Sequence, residues 1–241
     1  MTSEENKKIS EIKELLYNSE YAVFFGGAGV STESGIPDFR GSGGLYSDSD
    51  NEYYLSRTCL TEEPEKFFEF YRTKMLYPDA KPNKTHIALA ELEKAGIIKA
   101  VVTQNIDGLH QAAGSRNVFE LHGTVSRNYC MKCKREYSAE YIINADGVPK
   151  CSLCGGIVRP DVTLYEEPLP TDAYFGAKEH INKADLLIVG GSSLTVFPAS
   201  GFVVDFTGEH LVIINLTPTG YDVLAEHIVN APLSQVFEKL I

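Results

Sequence analysis

Four short segments of the chain consist almost entirely of apolar residues. Their length and their content of β-branched and aromatic residues are typical of strands that are buried on both faces of a sheet. These predicted strands are residues 21–25, 98–103, 185–189 and 211–214. A further short strand is predicted at residues 118–122, where it ends in a histidine.

Apolar residues at helical spacing predict helices between these strands. The first predicted helix covers residues 4–18, with Ser3 as its N-terminal cap. A second begins after Asn83, a good capping residue, and continues to Ala95. Residues 233–241 carry a helical stripe of apolar side chains that is expected to pack on the sheet.

The size and composition of the chain are those of a globular protein. It has 241 residues, of which 43% are hydrophobic and 23% are charged. With 22 basic against 33 acidic residues, the net charge of -11 disfavours direct binding of nucleic acid; it either aids solubility or suits basic peptide partners. No signal region and no apolar run long enough to span a bilayer is found, which predicts a cytoplasmic protein without a membrane partner. The sequence leaves the oligomeric state open, and a monomer is compatible with it.

A glycine-rich stretch follows the first predicted strand. Residues 26–29 read Gly-Gly-Ala-Gly, so the backbone can approach a ligand closely and offer its N–H groups to phosphate oxygens. Ordinary dinucleotide sites have a third glycine and a helix of several turns, but here Pro37 prevents such a helix. The chain is therefore expected to leave as a loop that carries Asp38, Phe39 and Arg40. The guanidinium suits phosphate, and the aromatic ring suits a flat ligand.

Residues 27–41, which read G-A-G-V-S-T-E-S-G-I-P-D-F-R-G, resemble the cofactor loop of the sirtuins, the NAD-dependent protein deacylases. The resemblance implies that NAD is the cofactor and co-substrate. The contacts that it implies in this loop are Gly27, Ala28, Gly29, Thr32, Asp38, Phe39 and Arg40.

A second polar motif follows the predicted strand at residues 98–103. The residues Gln104-Asn105-Ile106-Asp107 are similar to the sirtuin T-Q-N-I-D motif, in which Asn and Asp surround the nicotinamide ribose and the nicotinamide amide. Ligands of open α/β sheets bind beyond the carboxyl ends of the strands, so this motif should face the glycine loop. The resemblance therefore places all four residues at NAD, with Asn105 and Asp107 in the catalytic set.

His122 is followed by glycine, as in the His-Gly motif that bears the general base of sirtuins. An imidazole titrates near neutral pH, as base catalysis on a hydroxyl requires. His110 is the rival candidate, but only His122 matches the family motif. By the resemblance His122 also contacts NAD.

The cysteines form two pairs with regular spacing. Cys130 and Cys133 are separated by two residues, and after 17 intervening residues Cys151 and Cys154 repeat the spacing. This pattern predicts a tetrahedral zinc site in which four thiolates leave no open position, so the metal is structural. A redox dithiol would need only one pair, and the acidic charge disfavours a zinc ribbon that reads nucleic acid. Cys59 stands outside the pattern and is interpreted as a free thiol.

Residues 159–167 resemble the segment to which sirtuins add the substrate peptide as a strand. The substrate contacts that the resemblance implies are Val162, Leu164, Tyr165, Glu166 and Glu167. The family more often has Phe-Gly-Glu where this chain has Tyr-Glu-Glu. The extra acid is expected to favour basic residues beside the target lysine.

Residues 64–75 are rich in aromatic side chains, which are either core residues or the lining of an acyl channel. Sirtuins that remove acidic acyl groups carry Tyr-x-x-Arg in this region, whereas this chain has Tyr71 followed by Lys74. We therefore assign Tyr71 to the acyl site and expect acetyl-lysine rather than succinyl-lysine as the substrate.

Two later motifs follow the remaining apolar strands. Gly191, Ser192 and Ser193 match the sirtuin G-[ST]-S, and Asn215 with Leu216 matches the Asn after the later strand. By the resemblance these residues hold phosphate and the adenosine ribose.

The resemblance covers nearly the whole chain and implies an α/β fold, a doubly wound parallel sheet of Rossmann-like type with a smaller discontinuous domain. Residues 1–41, 83–125 and 160–241 are expected to form the NAD-binding domain, and residues 42–82 and 126–159 the helical insertion with its zinc module.

The implied activity is NAD-dependent deacetylation of acetylated lysine in proteins or peptides. Nicotinamide is released, and the acetyl group is transferred to ADP-ribose to give O-acetyl-ADP-ribose. Alternatives that share the cofactor motifs are removal of longer or acidic acyl groups, and ADP-ribosyl transfer to protein. A hydride-transferring dehydrogenase is disfavoured by the shortened glycine fingerprint.

Overall fold

The computed structural model describes residues 2–38 and 51–241. Its helices are α1 Ser3–Asn18, α2 Asn51–Tyr54, α3 Arg57–Glu62, α4 Pro64–Lys74, α5 Lys84–Lys94, α6 Leu109–Ala113, α7 Ala139–Ile143, α8 Thr171–Lys183, α9 Gly201–Val204 and α10 Leu233–Leu240. Its strands are β1 Ala22–Gly26, β2 Ile98–Thr103, β3 Val118–Glu120, β4 Gly123–Cys130, β5 Glu136–Ser138, β6 Val158–Val162, β7 Leu186–Gly190, β8 His210–Ile214 and β9 His227–Val229.

The two predicted helix caps have different outcomes. Asn83 caps α5 as predicted, because its Oδ1 accepts hydrogen bonds from the N–H groups of Thr85 and His86 at 2.9 and 3.4 Å. Ser3, however, lies inside α1, and the cap is Thr2, whose Oγ1 accepts from the N–H of Glu5 at 3.1 Å. The Glu5 carboxylate accepts from the Thr2 N–H in return at 2.6 Å. This reciprocal pair satisfies two backbone donors and moves the cap one residue earlier than predicted.

The larger sheet has six parallel strands in the order β3-β2-β1-β7-β8-β9, which confirms the predicted doubly wound fold. The chain winds outward from β1 through β2 and β3, and then returns to β7 and winds outward on the other side. The order therefore reverses between β1 and β7. Ligands of such sheets bind in the crevice at this switch point, beyond the carboxyl ends of the strands.

Successive residues of β1 face opposite sides of the larger sheet, and both sides are covered. Phe24 packs in one core cluster with side chains of α1, α5 and α10. Phe25 packs in a second cluster with side chains of α8 and α9. The continuous apolar strands in the sequence are explained by this burial on both faces.

The smaller sheet is antiparallel, in the order β5-β4-β6. It packs with α3, α4 and α7 around a third apolar cluster that includes Phe67, Phe68 and Ile142. The predicted domain boundaries at residues 125–126 and 159–160 fall inside β4 and β6, so two strands lead from the larger sheet into this module.

Within residues 2–38 and 51–241, no helix combines the length and the apolar content that crossing a bilayer demands.

Candidate active site

A cavity of about 910 Å³ lies at the carboxyl ends of the parallel strands. It is lined by the loops that follow β1, β2, β7 and β8, and by the segment that follows β6. Phe39 and Arg40 lie outside the described residues. The structure brings together at this cavity all the other predicted ligands of NAD and substrate, namely Gly27, Ala28, Gly29, Thr32, Asp38, Tyr71, Gln104, Asn105, Ile106, Asp107, His122, Val162, Leu164, Tyr165, Glu166, Glu167, Gly191, Ser192, Ser193, Asn215 and Leu216.

The glycine loop leaves β1 without forming a regular helix, as predicted. Two short 3-10 turns, Ala28–Val30 and Thr32–Ser34, follow β1 directly. They end at Gly35, whose φ of 85° lies in the left-handed region that glycine tolerates best. The chain then turns to Pro37 and Asp38 at the cavity wall.

Two glycines of the loop use their N–H groups within the protein. The N–H groups of Gly27 and Gly29 donate to the carbonyl oxygens of Gly190 and Gly191, at 3.2 and 2.8 Å, so they are not available to phosphate. A Cβ on Gly29 would lie 2.8 Å from the backbone of Gly191, and glycine is therefore needed for the contact between the two loops. The Ala28 N–H has no partner among the described residues and remains available to a ligand.

A buried hydroxyl joins the two catalytic candidates of the Gln-Asn-Ile-Asp motif. Ser31 Oγ donates to Asp107 Oδ2 at 2.6 Å and accepts from Asn105 Nδ2 at 3.0 Å. The other carboxylate oxygen of Asp107 accepts from the Leu109 N–H, at the start of α6. Ser31 belongs to the glycine-loop motif of residues 27–41, but no role was predicted for it. Its 1% exposure, at the wall of the cavity, marks it as part of the site.

The Gly-Ser-Ser loop is held by amide side chains from its neighbours. The side chain of Asn215 makes two hydrogen bonds to the backbone of Ser192. Its Oδ1 accepts from the Ser192 N–H at 3.0 Å, and its Nδ2 donates to the Ser192 carbonyl oxygen at 2.7 Å. Gln104 Nε2 donates to Ser192 Oγ at 2.8 Å. The side-chain amide groups of Asn215 and Gln104 therefore position this loop. The Ser193 N–H has no partner among the described residues.

His122 lies on the cavity wall with a defined tautomer. Its Nδ1 lies 2.9 Å from the carbonyl oxygen of Gln104, so Nδ1 carries the proton and Nε2 keeps a free lone pair. Burial lowers the pKa of His122 below its usual 6.5, although the bond to Gln104 opposes this shift. The imidazole is therefore neutral at neutral pH and can accept a proton at Nε2.

The rival histidine is placed differently. His110 is buried on α6, and its ring packs 4.8 Å from the ring of His86. Burial lowers the pKa of His110 to about 3. His110 does not border the cavity, so it has no access to a bound substrate there.

The predicted peptide segment is hydrogen-bonded to residues at and just before the start of helix α3. The Tyr165 N–H donates to the Leu55 oxygen at 3.0 Å, and the Tyr165 oxygen accepts from the Arg57 N–H at 3.1 Å. Glu166 has a φ of 74°, the left-handed conformation for which the family's glycine is suited. Its carboxylate accepts from the N–H and Oγ1 of Thr58 at 3.0 and 2.8 Å, at the start of α3. Glu166 is exposed and, among the described residues, bonded only to these neutral groups, so it keeps its negative charge and its preference for basic residues beside the target lysine stays a prediction.

The aromatic segment divides between core and cavity. Phe67, Phe68 and Tyr71 are fully buried in the third cluster, and Tyr71 and Met75 also border the cavity. The Tyr71 hydroxyl is buried and has no hydrogen-bond partner. Lys74 also borders the cavity. Both readings of this segment therefore apply, and Tyr71 belongs both to the core and to the cavity wall.

The four paired cysteines converge at the end of the smaller sheet. Their sulfur atoms all lie within 4.8 Å of one another, with 3.5 Å between Cys130 and Cys154 and 3.6 Å between Cys133 and Cys151. Tetrahedral zinc with Zn–S bonds of about 2.3 Å separates its sulfur ligands by about 3.8 Å, so the thiols fit this metal. The predicted zinc cluster is thus confirmed as an arrangement of ligands, and it lies apart from the cavity. Cys59 is a buried free thiol, as interpreted.

The fold and the site together define a nucleotide-binding α/β protein that carries a separate four-cysteine metal module. The model of the Sir2 family matches residues 27–198. This chain belongs to the Sir2 family, which confirms the resemblance to the sirtuins.

Named relatives match along nearly their whole length. An NAD-dependent protein deacetylase of Clostridium perfringens (strain 13 / Type A) is 53% identical over 240 residues, which are 97% of this chain and 98% of the relative. One of Cutibacterium acnes (strain DSM 16379 / KPA171202) is 52% identical over 230 residues, which are 93% of this chain and 94% of the relative.

Solved structures of the family superimpose closely. A complex of Sir2 with a p53 peptide and NAD+ has a TM-score of 0.87 at 39% identity and covers 96% of both chains. Sir2Tm bound to a propionylated peptide has a TM-score of 0.88 at 38% identity and covers 97% of both chains.

Proposed function

We propose that this protein is an NAD-dependent protein lysine deacetylase, which transfers the acetyl group of acetyl-lysine to ADP-ribose and releases nicotinamide. The observation that carries this proposal is the convergence of four strand-end loops on one cavity, where His122 presents an unprotonated Nε2. The relatives named above as NAD-dependent protein deacetylases support it. So do the related structures that hold NAD+ and peptides.

NAD, when bound at these loops, would supply an electrophilic ribose carbon and nicotinamide as the leaving group. Asn105 and Asp107, joined through Ser31, orient the nicotinamide ribose and amide. The N–H groups of Ala28 and Ser193, which have no partner among the described residues, would be available to the phosphates of NAD. His122 removes a proton from a ribose hydroxyl at Nε2, while its Nδ1–H remains bonded to Gln104.

The peptide binds along the segment after β6. Thr163 and Glu166 offer backbone groups without partners among the described residues, namely the Thr163 oxygen and both the N–H and the oxygen of Glu166. These groups can accept a peptide in extended conformation. The acyl group enters between Tyr71 and Met75. Because Lys74 stands where sirtuins that remove acidic acyl groups have arginine, acetyl-lysine is the preferred substrate.

Zinc bound by the four cysteines would hold β4 near β6 and supply no reactive position, since thiolates fill its coordination sphere. We assign NAD binding to residues 1–41, 83–125 and 160–241, and the metal to the unit formed by residues 42–82 and 126–159. Reduced thiols that serve as metal ligands suit a reducing compartment. We therefore place the protein in the cytoplasm, which cell fractionation would test.

In the decisive experiment, the protein is incubated with NAD and an acetylated peptide, and the products are identified by mass spectrometry. Deacetylated peptide, nicotinamide and O-acetyl-ADP-ribose are expected, and a succinylated version of the peptide should react more slowly. His122→Ala should abolish turnover while the melting temperature and zinc content stay normal, and His227→Ala serves as a control remote from the cavity. Full turnover by His122→Ala would refute the assigned base, and ADP-ribose attached to protein would favour a transferase.

A further inference from the structure

Glu167 was expected to contact the substrate, but its carboxylate is turned into the protein. Both of its oxygens bind the guanidinium of Arg159, with Nη1 to Oε1 at 2.5 Å and Nη2 to Oε2 at 2.9 Å. The side chains of Arg159 and Glu167 are only 7% and 18% exposed. Removing one partner would leave the other charge buried and unpaired, which is strongly unfavourable.

The same two side chains also bind the backbone between them. Arg159 Nη2 donates to the Val162 oxygen at 2.7 Å, and Glu167 Oε2 accepts from the Leu164 N–H at 3.0 Å. The Arg159–Glu167 pair thus closes a loop and determines the path of the backbone on both sides of Thr163. A paired charge that also bonds to the backbone restricts a segment more than a surface ion pair does.

The segment that the pair holds is the one with free backbone groups. The Thr163 N–H donates to the oxygen of His122 at 2.8 Å, so the position of Thr163 is tied to that of the proposed base. The unpartnered Thr163 oxygen and the unpartnered backbone of Glu166 lie on the same loop, between Arg159 and Glu167. A shift of this loop would move the peptide-binding groups relative to His122.

Arg159 also connects this loop to the cysteine module. In the β4–β6 ladder, Arg159 is paired with Tyr129, and the adjacent Val158 is paired with Cys130. The guanidinium therefore projects from a strand whose neighbour carries a metal ligand. The pair links the structural module to the peptide segment, and among the described residues Arg159 makes no hydrogen bond to an NAD loop.

We propose that Arg159 and Glu167 are positioning residues that hold residues 163–166 in the conformation that binds the substrate peptide, and so determine peptide affinity without affecting NAD affinity. This inference rests on the proposed deacetylase function. Neither side chain needs to touch the substrate.

The test compares three variants with the wild-type protein. Glu167→Gln removes one charge. The double variant Arg159→Met with Glu167→Leu replaces the ion pair by apolar side chains, which preserves folding more often than a single deletion does. Arg127→Gln is the matched control, because Arg127 makes an exposed ion pair with Asp161 at 3.0 Å on the same two strands.

Binding of a fluorescently labelled acetyl-lysine peptide is measured by anisotropy, NAD binding by calorimetry, and the KM of each substrate by steady-state turnover. Zinc content and melting temperature report on folding. Both pair variants should weaken peptide binding and raise the peptide KM by about tenfold or more, because charge-assisted bonds to the loop backbone are lost. The NAD affinity and the KM for NAD should change little, and Arg127→Gln should behave as wild type.

Normal peptide affinity in a folded double variant would overturn the inference, as would an equal loss of NAD affinity. If neither pair variant folds, the pair is required for folding itself and the inference also fails. Absence of deacetylation by the wild-type protein would instead refute the proposed function. The two failures are thus distinguishable.

Discussion

Replacing Ser31 by alanine removes the hydroxyl that joins the two polar side chains of the nicotinamide site. The change breaks a bond of 2.6 Å to the Asp107 carboxylate and one of 3.0 Å from the Asn105 amide. Loss of a hydrogen bond to a charged group costs about 1.5–3 kcal/mol. If this loss is expressed in the transition state, kcat/KM for NAD should fall by about 10- to 150-fold.

The assay varies NAD at saturating acetylated peptide and follows nicotinamide release. The KM for the peptide should stay close to that of the wild type, because Ser31 lies with the NAD loops and not with the peptide segment. Ser34→Ala is the control, since among the described residues Ser34 Oγ accepts a hydrogen bond from Asn83 alone, and the same Asn83 amide also donates to the Val30 carbonyl oxygen at 2.7 Å. An unchanged kcat/KM for NAD in a folded Ser31→Ala protein would refute the idea that this hydroxyl orients the site.

Three further predictions concern protonation and the metal. Because burial holds the pKa of His122 below its usual 6.5, protonation of the base should give the pH profile of turnover an acid limb with its midpoint below pH 6.5, and a midpoint above 6.5 would contradict this. Burial lowers the pKa of His110 from 6.5 to about 3 in the folded protein. As the pH falls below 6.5, the unfolded chain therefore takes up a proton at His110 that the folded protein does not. The free energy of unfolding should decrease between pH 6.5 and pH 3 for this reason. In urea titrations His110→Phe should flatten this slope, and an unaltered slope would argue against the assignment. The Tyr137 hydroxyl donates to Cys151 Sγ at 3.0 Å, so Tyr137→Phe should release zinc faster to a chromogenic chelator than Tyr141→Phe, and equal rates would exclude such a role.

Residues that are close in the sequence were predicted well. The strand at residues 98–103 coincides with β2, and the cap at Asn83 is correct, because both depend on local patterns of apolar and polar residues. The four cysteines were found from spacing alone, since two pairs of ligands need only a short connecting module. The ligands of the cavity follow from their positions at strand ends, where parallel strands deliver them to one edge.

Bonds between distant segments could not be predicted. Whether the Gly29 N–H is free for a ligand depends on the Gly191 oxygen, which approaches it only when β1 and β7 are neighbours. Glu167 was predicted to contact the substrate because the sequence does not show that its carboxylate pairs with the buried guanidinium of Arg159.

The amino-acid sequence by itself determined the central strands of the parallel sheet, the metal ligands and most of the residues at the cavity. These properties follow from local periodicity, from spacing and from motifs in contiguous residues. Only the tertiary structure decided which polar atoms of those residues remain free and which are already bonded. The physical reason is that buried polar groups form hydrogen bonds with partners that lie close in space. Strand pairing between remote parts of the chain decides which partners those are.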